Sequence, residues 1–406
     1  MNSPAIRFAG FTEDWEQRKL ADYIEPSSEK NIEGAYTIAD VLSVSGDSGV
    51  VNQIEFQGRS FAGASIANYS VLHREDVVYT KSPLKSCPYG IIKTNKGKTG
   101  IVSVLYGVYH PKQNLHADIV QIYFEQNARL NNYLRPLVNK GAKNTLLISD
   151  DDALQGDVRF PPTVCEQQQI SALFCKLDRL ITLHQREHDK TVNIKKALLE
   201  KMFPKDGEDK PEIRFAGFTG AWEQRKLGNL VEFFSGLTYS PHNVVSDGTL
   251  VLRSSNVKEG AIINADNVFV EAECVNVSNV QVGDIVVVVR NGSRNLIGKH
   301  ALIKRSMPNT VIGAFMTGLR CHIPEFTNAL LDTHHFDNEI KKNLGATINQ
   351  ITTGEFKKMT FFVPEQSEQK KIGRIFTLLD NLIAQHQREL TKLQNIKKAL
   401  LEKMFV

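Results

Sequence analysis

The chain lacks most of what would place it among secreted, membrane or cofactor-bearing proteins. Its five cysteines, Cys87, Cys165, Cys175, Cys274 and Cys321, are odd in number and form no CxxC pair. That argues against a disulfide framework and fits free thiols in a reducing compartment. No apolar run approaches the roughly 20 residues that span a bilayer. The opening MNSPAIRFAG has no basic-then-apolar signal pattern, so the expected location is the cytoplasm. A bias of charge is also missing: 49 Lys and Arg stand against 45 Asp and Glu, a net +4. Such a balance permits nucleic-acid binding without arguing for it.

Catalytic signatures are absent too. Gly97-Lys98-Thr99 imitates the end of a phosphate-binding loop, but the glycine required five positions earlier is Ile92, so the cradle fails. There is no GxGxxG after a strand and no GxSxG elbow. Phe160-Pro161-Pro162 is a poor imitation of the Asn-Pro-Pro-aromatic motif that adenine methyltransferases place at a flipped base. Cys321-His322 and His334-His335 lack zinc-ligand spacing and read as loop histidines. No pair of carboxylates is recognisably placed for acid–base work. The expectation is a chain that catalyses nothing and holds no metal.

What is present is a chain written twice. At 406 residues, 41% hydrophobic and 23% charged, it suits about two folded domains. Residues 6–20, IRFAGFTEDWEQRKL, and 213–227, IRFAGFTGAWEQRKL, agree at thirteen of fifteen positions. Residues 193–203 and 395–405 are both NIKKALLEKMF, and LDRLITLHQRE (177–187) matches LDNLIAQHQRE (379–389). Between these matched ends, residues 21–160 and 228–362 share little beyond length and character. A common frame around unlike inserts suggests one scaffold carrying two recognition surfaces.

The frame's second part reads as a long helix in each copy. A 4-3 alternation runs through Ile372, Phe376, Leu379, Ile383, His386, Leu390, Leu393, Lys397 and Leu400. The first copy gives Ile170, Phe174, Leu177, Ile181, His184, His188, Thr191, Lys195 and Leu198. Both are coiled-coil seams with polar interruptions. Pro162 and Pro364 stand just before the helices, where proline is tolerated, and Pro204 ends the first before the polar linker 205–212. At roughly 35–40 residues, each helix is about 55 Å long. Neither buries its stripe alone, so the expected partner is the other copy, antiparallel, about a pseudo-two-fold axis. His184 and His386 fall at equivalent seam positions and read as a register-fixing polar pair.

The inserts read as mixed α/β. Val282-Gly283-Asp284 leads into a strand from Ile285, and Asp76–Tyr79 and Ile119–Phe124 are expected to be similar strands. Beside glycine-containing turns lie polar and basic clusters: Arg59-Ser60, Lys81 to Lys85, and Lys93 to Lys98 in the first insert. The second has Arg253 to Asn256 and Arg290-Asn291-Gly292-Ser293-Arg294. These side chains suit phosphate contacts and bidentate reading of base edges. Taken singly, each cluster also suits a solvated loop, and a coiled-coil scaffold that binds only proteins stays open.

The doubled frame, the Pro-then-Glu-Gln helix starts (Pro162…Glu166-Gln167 and Pro364…Glu368-Gln369), the twin NIKKALLEKMF ends and the Gly-Asp-Ile strand running into Arg290–Arg294 together resemble the specificity subunits of Type I restriction-modification systems. The resemblance covers essentially the whole chain. It implies target-recognition domains at 1–161 and 213–363, each for one half of a bipartite double-stranded DNA site, and spacer helices at 162–204 and 364–406. It also implies two methyltransferase subunits docked on the helices and restriction subunits beyond them. Those partners would carry S-adenosylmethionine and ATP, with no cofactor on this chain. The residues expected to touch DNA are Arg59, Ser60, Lys81, Lys85, Lys93, Lys98, Arg253, Asn256, Arg290, Asn291, Ser293 and Arg294.

Overall fold

The computed structural model describes residues 3–63, 65–84, 87–140, 146–344 and 349–405. It divides into two compact units, Met1–His184 with Glu389–Val406, and Gln185–Arg388. The units do not follow the chain order. Each is built on one insert, the first half of that insert's helix and the last half of the other copy's helix.

In the first unit, strands β1 (Ile24–Pro26), β2 (Val77–Thr80), β3 (Ile91–Thr94) and β4 (Tyr106–Pro111) form an antiparallel sheet in the order β1-β4-β2-β3. In the second unit, β5 (Glu232–Ser235), β6 (Ile285–Val288), β7 (His300–Leu302) and β8 (Met316–Arg320) form an antiparallel sheet in the order β5-β8-β6-β7. Two inserts with little common sequence thus build the same sheet. β2 and β6 are buried along their whole length, which is why both read as unbroken apolar runs rather than alternating ones. Gly283, at φ +94°, makes the turn into β6 in a conformation that other residues rarely adopt.

One expectation fails here. Asp118–Phe124 is a helix, not a strand, and every residue from Ile119 to Phe124 is buried. A short helix covered on all sides loses its amphipathic period, so its sequence looks like a buried strand. Its place beside β3 is fixed by Thr94, whose N–H donates to Gln121 Oε1 at 3.0 Å and whose hydroxyl donates to Ala117 O at 3.1 Å. Pro324–Leu331 is the equally buried counterpart after β8.

The repeated frame closes each unit. Gln17–Lys19 pairs antiparallel with Asp157–Arg159 in the first unit, as Glu223–Lys226 pairs with Thr360–Val363 in the second. The long helices are Val164–Met202 and Gln366–Lys403, of 39 and 38 residues. In the first unit Phe405 packs on Trp15 and Phe174, at centroid distances of 5.9 and 6.4 Å. In the second, Phe203 packs on Trp222 and Phe376, both at 5.9 Å. The NIKKALLEKMF ends therefore carry core residues, Leu401, Met404 and Phe405 in the first unit and Met202 and Phe203 in the second, and each completes the unit that begins with the other copy's tryptophan.

Candidate functional site

The basic loops of the second unit converge. β6 runs into residues 289–292, where the N–H groups of Val289 and Arg290 donate to Phe315 O at 3.0 and 3.2 Å. Ile351 N donates to Val289 O on the other side, so this loop is held like a continued strand. The Arg290 guanidinium lies 4.9 Å from the centroid of the Phe315 ring, within cation–π range. Asn291 Nδ2 donates to Ser254 Oγ at 3.0 Å, drawing the 253–256 loop against the 290–294 loop. Asn291 Oδ1 accepts from Ser293 N at 2.9 Å. Ser293 and Arg294 are exposed, with Arg294 Nη2 3.4 Å from Leu344 O.

Asn256 requires a correction. It is fully buried, its Oδ1 accepts from Arg253 N at 2.9 Å, and its Nδ2 donates to Ala265 O and Asn267 Oδ1 at 2.6 and 3.0 Å. Its amide organises the loop that carries Arg253 and is not presented to an outside ligand.

The first unit repeats the scheme with different chemistry. Lys81 follows β2 as Val289 follows β6, and its N–H donates to Leu105 O at 2.9 Å. Its ammonium is paired with Asp150 at 2.9 Å. Arg59 is exposed with its guanidinium 4.6 Å from the Phe61 ring centroid, while Ser60 Oγ donates to Gln53 Oε1 at 3.0 Å and stiffens the loop. Lys98 is exposed; Lys85 lies outside the described residues. Lys93 differs from expectation. It is half-buried on strand β3, facing a cavity of about 1090 Å³ shared with Lys96, Arg179 and Lys398. Burial lowers its ammonium's pKa below the ordinary lysine value of 10.5. It therefore belongs to a wall beside the long helices and not to the loops of Arg59 and Lys81.

Along the helices, Ile170, Phe174, Leu177, Ile372 and Phe376 are buried, and Ile181, His184, Leu379, Ile383 and His386 are half-buried. The lysines that interrupt the seams have partners. In the first unit Lys397 Nζ lies 2.6 Å from both Glu125 and Asp178. In the second, Lys195 Nζ lies 2.6 Å from Asp332 and 2.7 Å from Asp380. Within each unit these contacts run antiparallel: 174 meets 405 and 178 meets 397, while 195 meets 380 and 203 meets 376. Burial would lower both ammonium pKa values, but the carboxylates outweigh it and hold them above the usual lysine value.

Two further groups escaped the sequence reading. Arg7 and Arg214 lock the frame through bidentate pairs, to buried Glu166 at 2.7 and 2.9 Å and to buried Glu368 at 2.7 and 2.8 Å. The signal was an arginine and a glutamate recurring in both copies. Asp76 and Asp284 stand immediately before β2 and β6. Each accepts from the N–H three residues back, at 2.7 and 2.8 Å, and pairs with a residue of the neighbouring strand, His110 or Arg320. Among the described residues no cluster of metal-ligating side chains occurs, and no helix is long and apolar enough to cross a membrane.

A doubled mixed α/β chain with a common four-stranded antiparallel sheet in each unit and two long helices defines a class, and comparison with known proteins shows what it is similar to. Residues 220–395 match the Type I restriction modification DNA specificity domain. The specificity subunit of the type I restriction enzyme MjaVIII from Methanocaldococcus jannaschii is 23% identical over 320 residues, covering 75% of this chain and 73% of that protein. The crystal structure of the Type-I restriction-modification system S subunit from M. genitalium aligns over 100% of this chain and 99% of that one, with a TM-score of 0.62 and 15% identity, and has the same fold. Residues 220–395 thus carry the match to that DNA specificity domain, and over most of its length the chain is similar to a type I restriction enzyme specificity subunit.

Proposed function

We propose that this chain reads a bipartite DNA site, one half-site with each insert, and itself performs no chemistry. The observation that carries the reading is the common sheet: two inserts of unlike sequence place different polar and basic loops on equivalent strand ends. Residues 1–161 and 213–363 are assigned as the target-recognition domains. Arg59, Lys81 and Lys98 would face the first half-site, and Arg253, Arg290, Asn291, Ser293 and Arg294 the second. Two weak readers on one chain act on a correctly spaced site with high effective concentration and fail together on a wrong one.

The long helices are assigned as the docking face for two methyltransferase subunits, with restriction subunits recruited beyond them. Leu183, Leu378 and Leu382, about half exposed on those helices, support this, because such side chains gain from being covered. S-adenosylmethionine and ATP would be bound by the partners. Exchanging residues 228–362 for the insert of a relative tests the assignment: sequencing of methylated adenines should show one half of the motif changed and the other intact. A change in both halves, or in neither, would sink it.

A further inference from the structure

Beside the Arg290 loop the second unit carries a pocket of about 550 Å³, within the range of about 300–1,000 Å³ typical of small-molecule sites. Its walls include Tyr239, Arg253, Ser255 and Phe315. Phe315 is 55% exposed, although hydrogen bonds from Val289 and Arg290 fix its backbone. With the Arg290 guanidinium over the ring and more than half of its surface still open, it suits an anchor more than a core residue. Two wall residues also have unmet polar atoms. Arg253 Nε and Ser255 Oγ are buried and find no hydrogen-bond partner among the described residues. Native proteins seldom leave such groups unpaired.

The occupant must therefore offer a flat face to Phe315, acceptors to Arg253 and Ser255, and negative charge to the exposed Arg294. An apolar ligand leaves the polar atoms unmet. A phosphate alone leaves the ring uncovered. A nucleobase on its phosphodiester chain meets all three demands. Building on the DNA-reading role proposed above, we propose that this pocket receives one nucleobase of the bound DNA, displaced from the helical stack, against Phe315. The equivalent turn of the first unit presents the aliphatic Val104 and Leu105, both more than half exposed, so base capture belongs to the second half-site alone.

The test uses the full chain and duplexes carrying the site identified by methylated-adenine sequencing. 2-Aminopurine is placed singly through each half-site, and 5-iodouracil replaces thymine for photocross-linking. The expected result is a several-fold fluorescence rise at one position of the second half-site, with cross-links to Phe315 or Tyr239. Phe315→Ala should abolish the rise and weaken filter binding about tenfold, and Phe315→Trp should keep binding. Equal melting temperatures of the variants would exclude a folding defect. Cross-links to Phe315 with no fluorescence rise would mean that the ring lies on base-pair edges in intact duplex, which overturns base capture. Cross-links confined elsewhere overturn it too while leaving DNA reading in place. Failure to bind any duplex, alone or with methyltransferase subunits, would overturn the DNA-reading role itself.

Discussion

Arg290 lies two residues beyond the buried strand β6 with its guanidinium over Phe315, so its side chain is ordered by packing and not by a carboxylate. That arrangement suits a base reader, whose planar fork must meet an edge in fixed geometry. Arg290→Ala should cost about 1–3 kcal/mol of binding and relax preference at one base position. A uniform loss over all sequences, with a shallower salt dependence, would reassign it to a phosphate. Arg214 does a different job. It neutralises Glu368, whose side chain is 1% exposed, and ties the frame's first segment to the start of the second long helix. Arg214→Ala leaves that carboxylate buried without its counter-charge, so urea unfolding should show a loss of about 3–5 kcal/mol. Replacing both partners by apolar residues of similar size should recover most of it. A single variant as stable as the parent would mean that water reaches Glu368.

Elements differ sharply in how plainly the sequence announces them. The long helices were legible because their stripes repeat over 29 residues in each copy and their ends are written twice. β6 was legible because Gly283-Asp284 precedes four apolar residues. Ile119–Phe124 misled because burial on every side erases the period that separates helix from strand. The seam lysines looked like defects, since their acids come from distant segments: Glu125 and Asp178 for one, Asp332 and Asp380 for the other. Asn256 looked like a reader because composition does not reveal which way an amide faces. The shared strand order was hidden because sheet topology tolerates any apolar residue of suitable size. β7 also carries a pH dependence. His300 is buried with Nδ1 3.0 Å from Gly298 O and Nε2 3.3 Å from Asp332, so both ring nitrogens face acceptors. Burial alone would lower its pKa, but Asp332 and the carbonyl outweigh burial and raise it above the ordinary 6.5. For Asp332, burial would raise the pKa, yet His300 and Lys195 pull it from 3.8 to about 2. The histidine's contribution is therefore complete below about pH 6.5 and lost as pH rises through its higher folded value. The aspartate's is complete above about pH 3.8 and lost as pH falls toward 2. Thermal melts of the parent and His300→Gln should differ most near pH 5 to 6 and converge at alkaline pH. A difference independent of pH would mean that His300 acts as a neutral packing residue.

At the scale of the whole molecule, each long helix starts in one compact unit and ends in the other. Each unit is completed by the far end of the other copy's helix, through Phe405 in one and Phe203 in the other. Neither half of the chain therefore carries a full core. If the two inserts read two half-sites and the helices act as the ruler between them, a change in helix length changes the spacing at which both bind. Inserting four residues beside Arg186-Glu187 lengthens one helix by about 6 Å and turns its C-terminal half by only about 40°. DNA rises about 3.4 Å per base pair, so the ceiling is nearly two added base pairs. One helix alone is lengthened and it need not lie along the DNA, so the expected gain is one base pair, with the bases of each half-site unchanged. A two-residue insertion turns the seam by about 200° and presents its polar side inward, so it should prevent folding or assembly instead of shifting the spacing. Sequencing methylated adenines in cells carrying the four-residue variant decides between a ruler and a mere docking post: an active assembly with an unchanged spacer would show that helix length does not measure the site.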